Sequence, residues 1–310
     1  MGPYAYFRKR IVPLEEANVN IMTHALNYGT GCFEGIRGNW NEEHEQIYLF
    51  RMRDHFERLQ RSARILRIQI SETVDALCDI TTELVRRSGY TEDVYVRPLA
   101  YKSEEVIGVR LHDVEDDLNI FVAPFGAYLD ADNGIRCCTS SWRRVPDTSI
   151  PGRAKVTGIY VNSALAKTEA FDNGYDEAIM LTQEGNVSEG SGENVFVVSG
   201  GQLVTPGPAE GILVGITRST VMELARKELG IETIERQIPR SELYSAEEVF
   251  LTGTAAHLTP VLEIDGRSIG AGVTGPITRR LMDFYYSIIR GNSTDYSGWC
   301  TPVAPVTVGA

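Results

Sequence analysis

The chain has 310 residues, 43% hydrophobic and 23% charged, a globular composition long enough for two domains of ordinary size. Its 30 Lys and Arg against 42 Asp and Glu leave a formal net charge of -12, so a nucleic-acid partner would need a concentrated basic patch. The densest basic stretch, Arg51 to Arg67, interleaves with Phe56, Leu59, Ala63 and Leu66 at helical spacing and reads as an amphipathic helix with a basic solvated face, which argues against that class.

In chain order, Gln46 to Phe50 reads as a strand and Asp54 to Arg67 as the amphipathic helix. Ser71-Glu72-Thr73 opens a second helix through Arg87, stopped by Ser88-Gly89. Tyr95 to Tyr101 alternates as a strand does, with Pro98 pointing to an edge or a bulge, and Leu118 to Pro124 is a buried-strand pattern. The turn-rich segment that follows Phe125 predicts a linker over 126–137 between a domain at 1–125 and another at 138–310. Beyond it, strands are expected at Ile135 to Ser140, Glu177 to Leu181, Asn194 to Val198 and Glu248 to Leu251. Helices are expected at Gly158 to Asp172, Thr217 to Leu229 and Gly275 to Ile289. The class is α+β, with a smaller N-terminal α/β domain and a larger β-rich C-terminal domain. Residues 304–310 have neither caps nor an apolar period and are expected to be mobile.

Several chemistries find no support. Cysteines at 32, 78, 137, 138 and 300 form no CxxC or CxxH, and the histidines at 24, 44, 55, 112 and 257 form no ligand pair, so neither a disulfide framework nor a metal site is expected. No apolar run reaches signal-peptide length at the N-terminus, or the roughly 18 residues that span a bilayer, and a cytoplasmic location is expected. Gly29, Gly31 and Gly35 are spaced GxGxxxG with no strong strand before them, a poor dinucleotide fingerprint. Gly266-Arg267-Ser268-Ile269-Gly270 fits the nucleophile-elbow pattern of hydrolases, but Asp265-Gly266 reads as a hairpin turn and no helix follows directly.

Lysine is scarce: Lys9, Lys102, Lys155, Lys167 and Lys227. Lys167 lies off the apolar stripe of its helix and is expected to face water, whereas Lys155 stands in a small-residue turn leading into a helix, Pro151-Gly152-Arg153-Ala154-Lys155. A lysine amine in a pocket can lose its charge and attack a carbonyl, although a lone lysine in a turn is far more often a structural or solvated one. Glu189 falls in the small-residue turn Ser188-Glu189-Gly190-Ser191-Gly192, where it is either a partner for a protonated ring nitrogen or a loop acid. Gly215-Ile216-Thr217-Arg218 opens a helix, as a phosphate site or as an ordinary N-cap by Thr217. Thr252-Gly253-Thr254-Ala255 follows a strand, as an anion cradle or a turn.

Together with Tyr28-Gly29-Thr30-Gly31-Cys32-Phe33-Glu34-Gly35-Ile36-Arg37, His55-Phe56-Glu57-Arg58-Leu59, Tyr95-Val96-Arg97-Pro98 and Phe125-Gly126-Ala127-Tyr128-Leu129, these segments resemble, in order and spacing, the class IV aminotransferases, most closely the branched-chain amino-acid group, from about Ala17 to Gly291. The resemblance implies the two-domain architecture of fold type IV pyridoxal 5'-phosphate (PLP) enzymes and a ping-pong exchange of amino groups between leucine, isoleucine or valine and 2-oxoglutarate. It makes Lys155 the catalytic, cofactor-bonded lysine. Arg58, Tyr160, Glu189, Leu213, Ile216, Thr217, Gly253 and Thr254 become cofactor-binding positions: Tyr160 for the ring hydroxyl, Glu189 for the ring nitrogen, and Arg58, Ile216, Thr217 and Thr254 for the phosphate. Tyr28, Phe33, Arg37, Tyr95, Arg97, Val109, Tyr128, Thr254 and Ala255 become substrate-binding positions, with Arg97 resembling the residue for the second carboxylate of glutamate. Ile107-Gly108-Val109 resembles a loop reaching a partner subunit, which implies a homodimer or larger assembly. Phe125, His257 and Arg110-Leu111-His112 depart from residues common in relatives. D-amino-acid aminotransferases, (R)-selective amine transaminases and aminodeoxychorismate lyase share the cofactor apparatus; Tyr28, Phe33, Arg37, Tyr95 and Arg97 together favour the branched-chain pattern.

Overall fold

The computed structural model describes residues 3–303, beginning with an antiparallel hairpin that no sequence signal disclosed, β1 (Tyr4–Phe7) and β2 (Arg10–Pro13). Arg8 and Lys9 take φ of 48° and 61° at its tip, the two-residue turn whose twist suits right-handed strands. There follow α1 (His24–Tyr28), β3 (Gly31–Phe33), β4 (Ile36–Asn41), β5 (Gln46–Phe50), α2 (Met52–Ile65), α3 (Val74–Ser88), β6 (Val94–Lys102) and β7 (Asp116–Pro124). Local chemistry bounds α3 where expected: Thr73 Oγ1 accepts the Ala76 N–H at 3.2 Å, and Gly89 closes the helix at φ 65°.

The nine-residue β6 is the spine of the first sheet. It pairs with β7 along its whole length and, on its other side, with β3 and β4 in one register, Phe33 opposite Leu99 and Ile36 opposite Val96. Pro98 therefore lies in a central strand and not at an edge. It is tolerated because the ladder lapses over Glu34 and Gly35, where the missing N–H is not called for, while the Pro98 carbonyl still accepts the Glu34 N–H at 2.9 Å. Phe56, Leu59, Leu77 and Leu84 of the two helices pack with Ile36, Leu49, Val94, Val96 and Ile120 of the sheet, all buried.

The second sheet is built from β8 (Ile135–Thr139), β9 (Glu177–Leu181), β10 (Val187–Gly190), β11 (Asn194–Ser199), β12 (Gln202–Thr205), β13 (Thr233–Glu235), β14 (Glu248–Gly253), β15 (His257–Ile264) and β16 (Arg267–Ser268). Their order is β10-β9-β8-β15-β14-β11-β12-β13, with β16 on β15. Helices α4 (Tyr160–Asp172), α5 (Ile216–Leu229) and α6 (Arg240–Leu243) interrupt them, and α7 (Pro276–Ile289) follows. Asp265 and Gly266 join β15 to β16 with φ of 51° and 73°, the expected tight turn. Ser268 is thus an exposed strand residue eight positions before α7, so the strand–elbow–helix context of a nucleophilic serine is absent. The chain ends its described part in β17 (Cys300–Val303), antiparallel to β5.

The chain divides into two compact units. The first runs to Gly126 and includes Ala154–Gly158 and the stretch from Ser287; the second is Ala127–Arg153 with Ile159–Tyr286. The expected 1–125, 126–137 and 138–310 partition is corrected by long-range pairing. Residues 127–137 go with the second unit, where β8 starts at Ile135. Residues 154–158 go with the first because Val156 bridges to Cys32 and the Gly158 N–H reaches the Gly29 carbonyl at 3.2 Å. The end of the chain joins it through β17. The expectation of mobility for 304–310 lies outside the described residues. Among the described residues, no helix is long and apolar enough to cross a membrane.

Candidate active site

Lys155 sits on the short segment that the first unit holds against β3. Its carbonyl accepts the Phe33 N–H at 3.0 Å, its own N–H is donated to Ser62 Oγ of α2 at 3.2 Å, and its Nζ lies 5.0 Å from the centre of the Phe33 ring. The backbone is clamped on both sides, so the amine is delivered from a rigid base.

Beneath it, three polar side chains share a fully buried network. Arg58 donates from Nε and Nη2 to the two oxygens of Glu34, each at 2.7 Å, and His55 Nδ1 lies 2.7 Å from Glu34 Oε2. Burial by itself would raise the Glu34 carboxyl, but the Arg58 guanidinium and both hydrogen bonds outweigh it and bring it down to about 2. His55 is shifted the opposite way from a simple ion pair: burial lowers it more than Glu34 raises it, with Arg58 and Lys155 adding to the lowering. His55 is therefore a neutral donor to Glu34, and the pair that carries charge is Glu34 with Arg58. The expected solvated basic face of α2 holds for Arg53, Arg61 and Arg64, whereas Arg58 is buried on the opposite face.

The first unit also gathers much of the expected substrate set. The Arg97 guanidinium lies 4.3 Å from the Phe33 ring centre and 5.1 Å from that of Tyr95, and its Nη2 donates to the Tyr95 hydroxyl at 3.2 Å. Arg97 Nε is buried without a hydrogen-bond partner among the described residues, a donor kept in reserve at a costly position. Arg37 stacks over Phe125 at 4.9 Å and donates to the Gly126 carbonyl at 2.9 Å. Tyr28 accepts the Gly108 N–H at 3.1 Å while His24 Nε2 meets the Gly108 carbonyl at 2.7 Å, so both backbone groups of Gly108 are clipped to α1; Val109 beside it is 88% exposed.

In the second unit, Glu189 lies on β10 and not in the turn that the small residues suggested; the turn is 191–193. Its carboxylate takes an ion pair from Arg144 at 2.8 Å, the Leu213 N–H at 3.0 Å and Asn194 Nδ2 at 3.3 Å. The α5 N-terminus is capped by Gly215 with no side-chain cap, so Thr217 is not the N-cap but a buried first-turn residue beside Ile216. A Cβ at Gly215 would come within 2.2 Å of Asn194 Oδ1, which ties that glycine to the hold on Glu189. Gly253 ends β14, Thr254 and Ala255 open the turn to β15, and Tyr160 is the first residue of α4. Lys167 does not face open water: its Nζ meets Glu177 and the Asp176 carbonyl, each at 2.6 Å, and lies 5.4 Å from the half-exposed Tyr128 ring.

The family model of the class IV aminotransferases matches residues 31–264. The chain belongs to that family. Over 300 residues it is 52% identical to a probable branched-chain-amino-acid aminotransferase of Aquifex aeolicus, with 97% of this chain and 96% of the relative covered. It is 40% identical to the branched-chain-amino-acid aminotransferase of Escherichia coli K12, with 97% of each covered. Among solved structures, a branched-chain aminotransferase from Thermoproteus uzoniensis with norvaline is similar at 46% identity and TM-score 0.93, over 98% of this chain and all of that one. A branched-chain amino acid aminotransferase from Thermobaculum terrenum, in its PLP holo-form, is similar at 42% identity and TM-score 0.93, over 98% of this chain and 99% of that one.

Sequence reasoning missed the residues on which this aminotransferase sets its acids and bases: Glu34 and His55 around Arg58, and Arg144 and Asn194 around Glu189. One signal was available. His55, Arg58 and Ser62 recur at i, i+3 and i+7 beside Phe56, Leu59 and Ala63, polar groups on the apolar face of a helix, where burial demands partners. Arg144 had no such marker. Gly35 shows how tightly the site is packed, since a Cβ there would lie 1.9 Å from the Tyr95 hydroxyl. Gly35→Ala is expected to displace the Tyr95 ring and cost about 1–3 kcal/mol of stability in a denaturant melt. It is also expected to raise KM for both substrates; an unchanged melt with an unchanged KM would contradict this placement.

Proposed function

We infer that this aminotransferase exchanges amino groups between branched-chain L-amino acids and 2-oxoglutarate, with PLP held on Lys155. The observation that carries the reading is Lys155 Nζ beside Phe33 in the unit that also holds Arg97, Tyr95 and Arg58, in a chain alike over its whole length to branched-chain aminotransferases. The residues present fit the cofactor. The α5 N-terminus, without a side-chain cap, has first-turn amides to offer a phosphate, and Arg58 is locked by Glu34 in one orientation for the same dianion. Glu189, charge-paired and triply held, suits a protonated ring nitrogen.

When bound, PLP supplies the electron sink that makes the substrate Cα–H acidic. The chain's residues do the rest. Lys155 Nζ would hold the cofactor and, when free, would move the substrate's Cα proton to the cofactor's C4' carbon, a general base on a rigid backbone. Tyr160 would hold the ring hydroxyl, and Thr217 and Thr254 the phosphate. Phe33 and Tyr28 of the first unit, and Tyr128, Leu213 and Ala255 of the second, are the positions assigned to the substrate's apolar side chain. Tyr95 in the first unit and the Thr254 and Ala255 amides in the second are the groups assigned to the α-carboxylate. Arg97, with its Nε in reserve and its plane set by Phe33 and Tyr95, takes the second carboxylate of glutamate. The exposed loop at Val109, clipped at Gly108, suits a contact with a second copy, so the working form is a homodimer or larger.

The test is the absorption spectrum of the purified protein with L-leucine and no oxo acid. A visible band that leucine, but not D-alanine, shifts, and that borohydride fixes onto the Lys155 peptide, supports the reading. A band indifferent to leucine would leave the family standing and overturn the substrate assignment.

A further inference from the structure

Among the acids buried in the second unit, Glu193 stands next to the proposed chemistry without a part in it. Glu193 closes the bend that follows Glu189: its carbonyl accepts the Gly190 N–H at 2.6 Å, and its own carboxyl oxygen Oε2 accepts the Gly192 N–H at 3.0 Å. The bend is tight around that carboxyl, since a Cβ at Gly190 would lie 2.8 Å from Oε2, and one at Gly253 would lie 3.4 Å from Glu193 Cγ. Glu189 lies two residues before the bend at 191–193, and Asn194, which donates to Glu189, directly follows it. Glu193 therefore holds together the two ends of the segment that aims the ring-nitrogen acid.

Its electrical surroundings are unusual. Glu193 is 4% exposed and Glu177 of β9 is 0% exposed, and among the described residues the cation that pairs with Glu177 and whose charge acts on Glu193 is Lys167 of α4. That lysine is taken by Glu177, at 2.6 Å. On the β10 side the charge of Glu189, already matched by Arg144, also acts on Glu193. Tyr128 and Cys137 also lie within reach of the field of these acids, and both are pushed up, by burial first and then by Glu193 and Glu177. Two buried carboxylates with one lysine cannot both be ionised without a large penalty.

We propose that Glu193 is a positioning residue for Glu189, and that Glu177 and Glu193 together carry one negative charge, with the proton resting on Glu193. Burial first, and then the Glu177 charge, push the Glu193 carboxyl up to about 8, in keeping with this arrangement. The proton lets the carboxyl sit in the bend without a cation of its own and without drawing Arg144 away from Glu189. When it leaves on the alkaline side, a second anion appears beside Glu189 and the bend that aims Glu189 is strained. The positioning role rests on the reading of Glu189 as the ring-nitrogen acid; the shared charge does not.

The test follows two signals on the holoenzyme from about pH 6 to about pH 10, the infrared C=O stretch of a protonated carboxylic acid and the visible absorption band. The wild type is expected to lose a protonated-carboxyl signal as pH rises through the region near 8, with a change in the visible band that tracks it. Glu193→Gln, which keeps the size and polarity of the side chain but cannot ionise, should show neither event. Glu177→Gln removes the charge that raises Glu193 and should move both events down by at least about one pH unit. Persistence of the infrared loss in Glu193→Gln, its absence from the wild type, or an unmoved transition in Glu177→Gln would overturn the shared charge. A visible band that ignores the infrared event would overturn the positioning role. Absence of any visible band would instead defeat the cofactor reading, and with it the positioning role, while the infrared arm still decides the charge.

Discussion

Lys155→Ala is expected to leave a folded protein that no longer turns over, with the transamination rate down by more than about 10⁴-fold. The fold survives because Lys155 fixes the segment through its own backbone groups, its carbonyl accepting the Phe33 N–H and its N–H donated to Ser62 Oγ, and alanine makes both bonds. What is lost is the amine beside the Phe33 ring, the group assigned to hold PLP and to carry the Cα proton. Steady-state turnover with leucine and 2-oxoglutarate is the measurement, beside a thermal melt that should lie close to the wild type. Residual multiple turnover within about tenfold of the wild type would remove Lys155 from the chemistry.

Glu34→Gln has the largest expected effect on stability, a loss of about 3–5 kcal/mol, because it leaves the buried Arg58 guanidinium without its counter-charge. The pH dependence distinguishes this from a simple packing defect. In the folded protein the Glu34 carboxyl lies at about 2, below its ordinary 4.5, so its contribution is fully present above about 4.5 and disappears as pH falls toward 2. Denaturant melts of the wild type and Glu34→Gln should therefore differ most near neutrality and converge as the medium is acidified. A gap that stays constant down to the lowest pH at which both proteins fold would show that Glu34 acts by shape and not by charge. Because Glu34 also fixes the plane of Arg58, the variant should need more PLP for saturation.

The helices were legible because their determinants are local. The Thr73 cap, the Gly89 terminus and the apolar spacing of Phe56, Leu59 and Ala63 act within a few residues of chain, and these signals place the ends of α2 and α3 close to where the structure has them. Strands were less legible. β1, β2, β4, β12, β13, β15 and β17 carry little alternation of their own, and Pro98 argued against the central place of β6. A strand is stabilised by the neighbours it meets across the sheet, and whether Pro98 is tolerated depends on a lapse of the ladder at Glu34 and Gly35, which are remote from it in sequence.

The same division runs through the site. The sequence by itself determined which residue types were available for the chemistry: one lysine in a small-residue turn, an acid at 189, arginines at 58 and 97, and a glycine-led helix start at 215. Only the tertiary structure decided their electrical condition. Arg58 is turned inward by Glu34, His55 is kept neutral by burial, Arg144 pairs with Glu189, and Lys167 is drawn to Glu177 and away from Glu193. These pairings link residues 24, 45 and 10 positions apart, and nothing in composition or periodicity encodes them. The charge a buried group bears is set by the cost of desolvation against the partners that the fold brings within a few ångströms, and those distances exist only once the chain has folded.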